Sequence, residues 1–434
     1  MKKFYILGII AAAVLMVACE NVVDEGPHVH SYGDWTVLSA ADGLEAVKCT
    51  DCGRIRRTRL TGHAYGLTFQ SNDDHTGYSV RNCEVEGDRV YIPAYYRPNT
   101  ETPFLPVTEI GTLTLDEPYG TPFSTAVDIT TVYISEGIEI IGNYAFFNCD
   151  GIAVLTFPEG LTTIGMGAFY GCSGLTRMLI PESVTSIGAF AFEGCTELAV
   201  VTIPGTITEI PDRMLSGCAS LTSVIIPDSI TSIGEYAFGG CSSLTNIVIP
   251  PSVTSIGNNA LSGCSSLARI NLPAGITLGN YVFSGCSSLT NIPANVMYIN
   301  NGMFSGCTGL TVITIPASAT TIGASAFAGC TNLTNVNIHE GVTTIGASAF
   351  TNCTGISEFI VHAGIMRLGF NNIFAGWTDQ QTIFFMGHYS EADTFAAYGN
   401  TWYQNSKAVC KYLQKDGITW RDQKGKKTTG PLGK

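Results

Sequence analysis

Ten cysteines, Cys149, Cys172, Cys195, Cys218, Cys241, Cys264, Cys286, Cys307, Cys330 and Cys353, divide the chain into nine intervals. Seven of these are 23 residues long and the other two are 22 and 21. Such a period is the mark of a repeated supersecondary unit. Leu221–Ser243, LTSVIIPDSITSIGEYAFGGCSS, is a clean copy, with the template L-x-x-I-x-I-P-x-x-[VI]-T-x-I-G-x-x-A-F-x-G-C-x-x. Each unit holds two short β-type apolar runs separated by a Pro-containing turn, and A-F-x-G-C then leads round to the next Leu. One such unit cannot bury its own apolar face, whereas stacked units share a continuous core. A mainly β repeat solenoid is therefore expected, with short strands on two faces.

A period of 20 to 29 residues with Leu opening a strand is the leucine-rich-repeat pattern. More specifically, S-V-T-S-I-G-x-x-A-F-x-G-C-S-S-L resembles the BspA-type, or treponemal-type, leucine-rich repeats of bacterial surface proteins. The resemblance covers about residues 106–376. It implies a repeat domain over 107–388 that displays a binding surface, and members of that family are implicated in binding host matrix proteins such as fibronectin and fibrinogen. End repeats would expose core, so solenoids need caps. Alternating apolar and polar residues over 64–106 predict a β cap. Phe104–Gly111 looks like an opening half-repeat. Tyr389–Leu413 reads as a helical C-terminal cap, and 414–434, with its six Lys and Arg, as a disordered basic tail.

The N-terminus carries an address. Lys2 and Lys3 precede the apolar stretch Phe4–Val17, which is of signal-peptide length. Val17-Ala18-Cys19 then resembles a bacterial lipobox, implying a signal peptide over 1–19 and lipidation of Cys19 as the mature N-terminus. The acidic residues that follow (Glu20, Asp24, Glu25) look like the surface-export signal of Bacteroidetes lipoproteins. A lipid-anchored protein of the outer membrane and cell surface is expected.

Residues 27–63 form a small Cys/His segment. Cys49-x-x-Cys52, with His63 after it and His30 or His28 before it, could close one tetrahedral structural Zn²⁺ site. The spacing also resembles zinc-ribbon-like modules of gut-bacterial surface proteins. A Cys49–Cys52 disulfide is the competing reading in an exported chain.

Composition narrows the function. A net charge of −13 argues against a nucleic-acid partner, which requires a basic footprint. Between Tyr236 and Ile338 the only charged residue is Arg269. From Val132 to Gly355 there are 12 acids and 3 Arg, scattered, with no nucleophile, phosphate-loop, zinc-protease or EF-hand motif. No catalytic residue is assigned and no enzyme is expected. The repeat cysteines, with no His beside them, are expected as free buried thiols. Asp73–Gly77 reads as a strand-connecting turn, and His339, standing where other repeats carry Pro, as a turn substitution.

Binding remains. Outward positions of the first strand (Thr176, Arg177, Leu179, Ala199, Val200, Thr202 and their equivalents) form a neutral strip without large anchors. A second strip lies two residues before the core Phe: Tyr144, Gly167, Phe190, Arg213, Tyr236, Asn259, Tyr281, Gly302, Ser325 and Ser348. Its bulky members, Tyr144, Phe190, Arg213, Tyr236 and Tyr281, are the candidate ligand contacts. The partner would be a host matrix or surface protein, or a glycan. The alternatives are that these side chains pack over neighbouring rungs, and that the protein is an envelope scaffold with no host ligand.

Overall fold

The structure is a computed structural model. It describes residues 32–39, 44–49, 55–61, 65–111 except 73 and 86, 122–123, 128–387 except 370, 394, and 405–431 except 416 and 417.

Each unit makes one turn of a coil of short strands. In Leu221–Ser243 the first strand is Ser223–Ile225 and the second Ser232–Ile233. Equivalent strands stack in parallel and in register: Ser223 faces Asn246, Val224 faces Ile247, and Ile233 faces Ile256. The apolar template positions point inward, so Val224, Ile226, Ile230, Ile233, Phe238, Cys241 and Leu244 are all buried in one continuous core. The mainly β solenoid expected from the period is thus what the chain forms.

Two columns of glycine have separate causes. Gly188, Gly257 and their equivalents follow the second strand, where a Cβ would meet preceding-rung backbone atoms at 2.4 and 2.7 Å, respectively. The glycine before each Cys, such as Gly217 or Gly263, has a φ near 75°, which L side chains disfavour. In the rungs at each end this place is taken by Asn148 and Asn352, also with positive φ, as Asn tolerates that region best among non-glycines.

The Phe column stacks ring on ring. Centroids of Phe146 and Phe169 lie 5.1 Å apart, and those of Phe169 and Phe192 5.5 Å. Leu215 and Leu261 interrupt the column, which resumes from Phe283 through Phe304, Phe327 and Phe350 to Phe374.

At the N-terminal end, Arg89–Ile92 pairs in parallel with Thr131–Ile134 and opens the first ladder. Leu105–Ile110 pairs with Ile140–Ile141 and opens the second, which makes it the half-repeat expected from its sequence. The described part of the Cys/His segment does not stand apart. Tyr32–Ser39, Leu44–Cys49 and Ile55–Thr61 form an antiparallel meander. The third strand continues in parallel onto Tyr95–Arg97, within the cap sheet. Buried Thr58 fixes the junction, its Oγ1 lying 2.9 Å from Ser135 Oγ while its N–H donates to the same oxygen at 3.0 Å.

The far end departs from expectation. Val409–Leu413, assigned to a helical cap, is a strand parallel to Thr382–Phe385, and most of 388–404 lies outside the described residues. Its pattern V-C-K-Y-L alternates, burying Cys410 and Tyr412 on one face. Nor is the basic tail free: Trp420–Asp422 and Lys427–Thr428 add two antiparallel strands. Trp420 packs edge-on against Phe384 at 5.1 Å, and Asp422 Oδ1 accepts the N–H groups of Lys424 and Lys426 in the turn. A hairpin, with its lysines around the turn, therefore closes the ladder. Charge at a sheet edge discourages further pairing.

Candidate functional site

The strip before the core Phe has a backbone signature that its sequence conceals. Tyr144, Phe190, Arg213, Tyr236, Asn259, Tyr281, Ser325 and Ser348 all have φ between 52° and 61°, and Gly167 and Gly302 share it. The left-handed region costs an L residue roughly 1–2 kcal/mol. Gly and Asn are the inexpensive occupants, so aromatic and Arg side chains at this place oppose the local preference. The signal was the presence of Gly167, Asn259 and Gly302 in a column otherwise read as aromatic.

Strip side chains lie along the solenoid. The Tyr144 ring covers Gly167, and the Tyr281 ring covers Gly302 so closely that a Cβ there would fall inside it. Between them, the Arg213 guanidinium sits 5.8 Å from the Phe190 centroid and 4.5 Å from that of Tyr236. Arg213 Nη1 is also 3.5 Å from Glu193 Oε1. Phe190, Arg213 and Tyr236 are half-buried and Tyr281 is exposed. The structure therefore brings Phe190, Arg213 and Tyr236 into one cluster, with Tyr144 and Tyr281 each seated on the next rung's glycine.

The first-strand face is more apolar than its sequence was read to be. Val154, Leu179, Ile225 and Val248 are exposed, and Leu179, Ile225 and Val248 share one register column with Thr202 between them.

Elsewhere the titratable groups are engaged structurally. Each repeat thiol donates to a carbonyl of the preceding rung: Cys172 Sγ to Phe146 O at 2.9 Å, Cys195 to Phe169 O at 3.2 Å, Cys307 to Phe283 O at 3.0 Å. All ten repeat cysteines are free and buried. Burial pushes the thiols of Cys195, Cys241, Cys286 and Cys330 up to about 12, far from the thiolate that nucleophilic chemistry needs. His339 Nε2 lies 2.9 Å from Pro316 O while Nδ1 accepts from Gly341 N–H, consistent with a turn role. In the hairpin turn before Tyr78, Asp74 Oδ1 accepts from Thr76 Oγ1 at 2.7 Å, which with the Thr76 N–H lowers its carboxyl below the ordinary range. Among the described residues no group of three or more His, Cys, Asp or Glu could hold a metal ion. His28, His30, Cys52, His63 and Cys19 lie outside the described residues, and of Cys49 only its place at the end of Leu44–Cys49 is described.

The model of the BspA-type leucine-rich repeat region matches in six copies, over 121–228, 208–308 and 276–401. The chain belongs to the BspA-type leucine-rich repeat family. No curated protein matches it. Two solved structures share the fold of this BspA-type solenoid. A leucine-rich repeat protein of Bacteroides ovatus is 23% identical with a TM-score of 0.61, the match covering 80% of this chain and 98% of that one. A leucine-rich cell surface protein of Faecalibacterium prausnitzii is 27% identical with a TM-score of 0.58, covering 85% and 97%.

Proposed function

We propose that this BspA-type chain is a surface lipoprotein, anchored through Cys19, whose solenoid binds a protein or glycan in adhesion to host or other cells. The Faecalibacterium relative is a cell surface protein, and the lipobox-like Val17-Ala18-Cys19 accounts for the anchor. Replacing Cys19 with Ala should release the protein from the membrane fraction; retention there would refute the anchor. Nothing in the reading calls for catalysis.

The observation that carries the binding role is the half-buried Phe190–Arg213–Tyr236 cluster, held in left-handed backbone where Gly or Asn would be less strained. Strain retained at a surface is a pointer to function. Aromatic and Arg groups supply contact area and hydrogen bonds at modest entropy cost. Glu182, Glu193, Glu197, Glu209 and Asp212 around this strip favour a basic partner face, so binding should weaken with salt. The test is the triple variant Phe190→Ser, Arg213→Ser, Tyr236→Ser, probed on arrays of matrix proteins and glycans. The fold should persist, because Ser325 and Ser348 occupy the same place in later rungs. Affinity for the ligand found by the arrays should fall by about tenfold or more; an unchanged affinity would leave the cluster a purely packing feature. The scaffold reading draws support from the rung-to-rung stacking of Tyr144 and Tyr281, and it predicts that outcome.

A further inference from the structure

The two irregular Cys intervals, 22 and 21 residues, are adjacent, and together they break the coil. In the shorter one, L-T-N-I-P replaces L-T-N-I-V-I-P, so the first strand is missing two residues. No strand forms between Thr277–Leu278 and Val312–Thr314. Among the described residues no backbone hydrogen bond joins 290–300 to 268–279. Two Asn side chains span the gap instead, Asn295 Nδ2 donating to Leu272 O at 2.7 Å and Asn300 Nδ2 to Leu278 O at 2.6 Å.

The break leaves an open recess of about 260 Å³ on the second-strand face, lined by Asn280, Tyr298, Asn300, Asn301, Thr320 and Thr321. Tyr298 stands in a column where neighbouring rungs carry Thr277, Thr321 and Thr344. It is 61% exposed, and within the described residues its ring meets no other ring and its hydroxyl no partner. Asn301 accepts the Ala324 N–H at 2.8 Å through Oδ1, which leaves its amide N–H groups to donate. Asn300 spends its N–H groups on the gap and keeps an acceptor oxygen. The hydroxyls of Thr320 and Thr321 and the side-chain amide of Asn280 form no hydrogen bond among the described residues. No charged group lines the recess.

We propose that this recess binds one ring of a neutral glycan. An exposed aromatic face suits the apolar C–H face of a pyranose. Uncharged amides and hydroxyls offer the paired donors and acceptors that ring hydroxyls need. An anionic sugar would find no cation, because only Arg269 is charged between Tyr236 and Ile338. The recess is open above, so the rest of a chain can continue into solvent. This site is separate from the Phe190–Arg213–Tyr236 cluster and does not rest on that cluster binding anything.

The test uses the intact chain titrated with maltohexaose, cellohexaose, mannohexaose, N-acetylglucosamine hexamer and, as the anionic arm, a galacturonate hexamer, followed by calorimetry and ligand-observed NMR. A neutral oligomer should bind, with an affinity indifferent to added salt. Tyr298→Thr, which installs the residue of neighbouring rungs, should weaken it by about tenfold. Binding of the anionic oligomer alone, no binding by any neutral oligomer at millimolar concentration, or an undiminished affinity in Tyr298→Thr would each overturn the proposal.

Discussion

At the scale of single residues, the repeat cysteine is a hydrogen-bond donor as much as a small apolar filler. Its thiol closes on the carbonyl one rung back, which already accepts the N–H of that rung's own Cys, so the thiol supplies a second hydrogen bond to a buried oxygen. This choice has a pH consequence. The folded chain keeps its thiols protonated well above their ordinary value near 9, whereas the unfolded chain gives those protons up. Stability contributed this way is complete below pH 9 and is lost as pH rises toward 12. Each thiol adds a slope of up to about 1.4 kcal/mol per pH unit. With ten in one core, alkaline unfolding should be abrupt, and below it iodoacetamide should leave the repeat thiols of the native protein unmodified. Denaturant melts at stepped pH, with mass spectrometry of the alkylated protein, check both; a stability flat from pH 8 to 11 would contradict the burial argument. Cysteine period and burial were legible from sequence. The left-handed backbone under Phe190 and Arg213 was not, because bulky side chains masked a position whose preference shows only in Gly167, Asn259 and Gly302.

At the scale of elements, the ends of the coil reuse the rung's bonding with other residues. Trp377 occupies the slot after Phe374-Ala375-Gly376 where earlier rungs carry Cys, and its Nε1–H donates to Phe350 O at 2.9 Å. The indole thus does the thiol's work and fills more space beneath the cap, against Phe359 and Phe374. Trp377→Phe keeps most of the volume and removes the donor. Phe350 O keeps the Cys353 N–H, so a loss of about 0.5–1.5 kcal/mol is expected, the net worth of one hydrogen bond. Denaturant unfolding measures it, and a loss near zero would show that the Cys353 N–H alone satisfies the carbonyl. The C-terminal strands escaped sequence reading for a local reason. Val409–Leu413 is only five residues of alternation next to a polar stretch, and Trp420–Asp422 is held by Phe384, a contact across sequence that no local pattern displays. The N-terminal strands were readable because alternation recurs through the whole of 64–106, Leu67–Ser71 being one of several such runs.

At the scale of the whole molecule, a solenoid is stable as a sum of rungs and the interfaces between them, so a weakened interface divides it. That interface lies between Leu278 and Ile299, where the short repeats remove the strand pairing and the amides of Asn295 and Asn300 replace it. One side of the coil still connects there, through Tyr281 N–H to Asn301 O and Phe283 N–H to Met303 O, so the core Phe stack continues. The rungs on either side retain paired strands, with Asn246–Val248 against Ser223–Ile225 before the break and Val312–Thr314 against Asn335–Asn337 after it. Hydrogen exchange should accordingly show strong protection over 223–256 and 312–345, separated by fast exchange over 290–300. Local opening is set by how few bonds and contacts oppose it. Asn300→Ala removes the amide that reaches Leu278 O and should widen the fast region toward 278, without changing exchange at the ends of the chain. If protection instead ran evenly across 290–300, or if Asn300→Ala slowed no bond's closing and left the profile unaltered, the two irregular intervals would be mere length variants. The coil would then open as one unit.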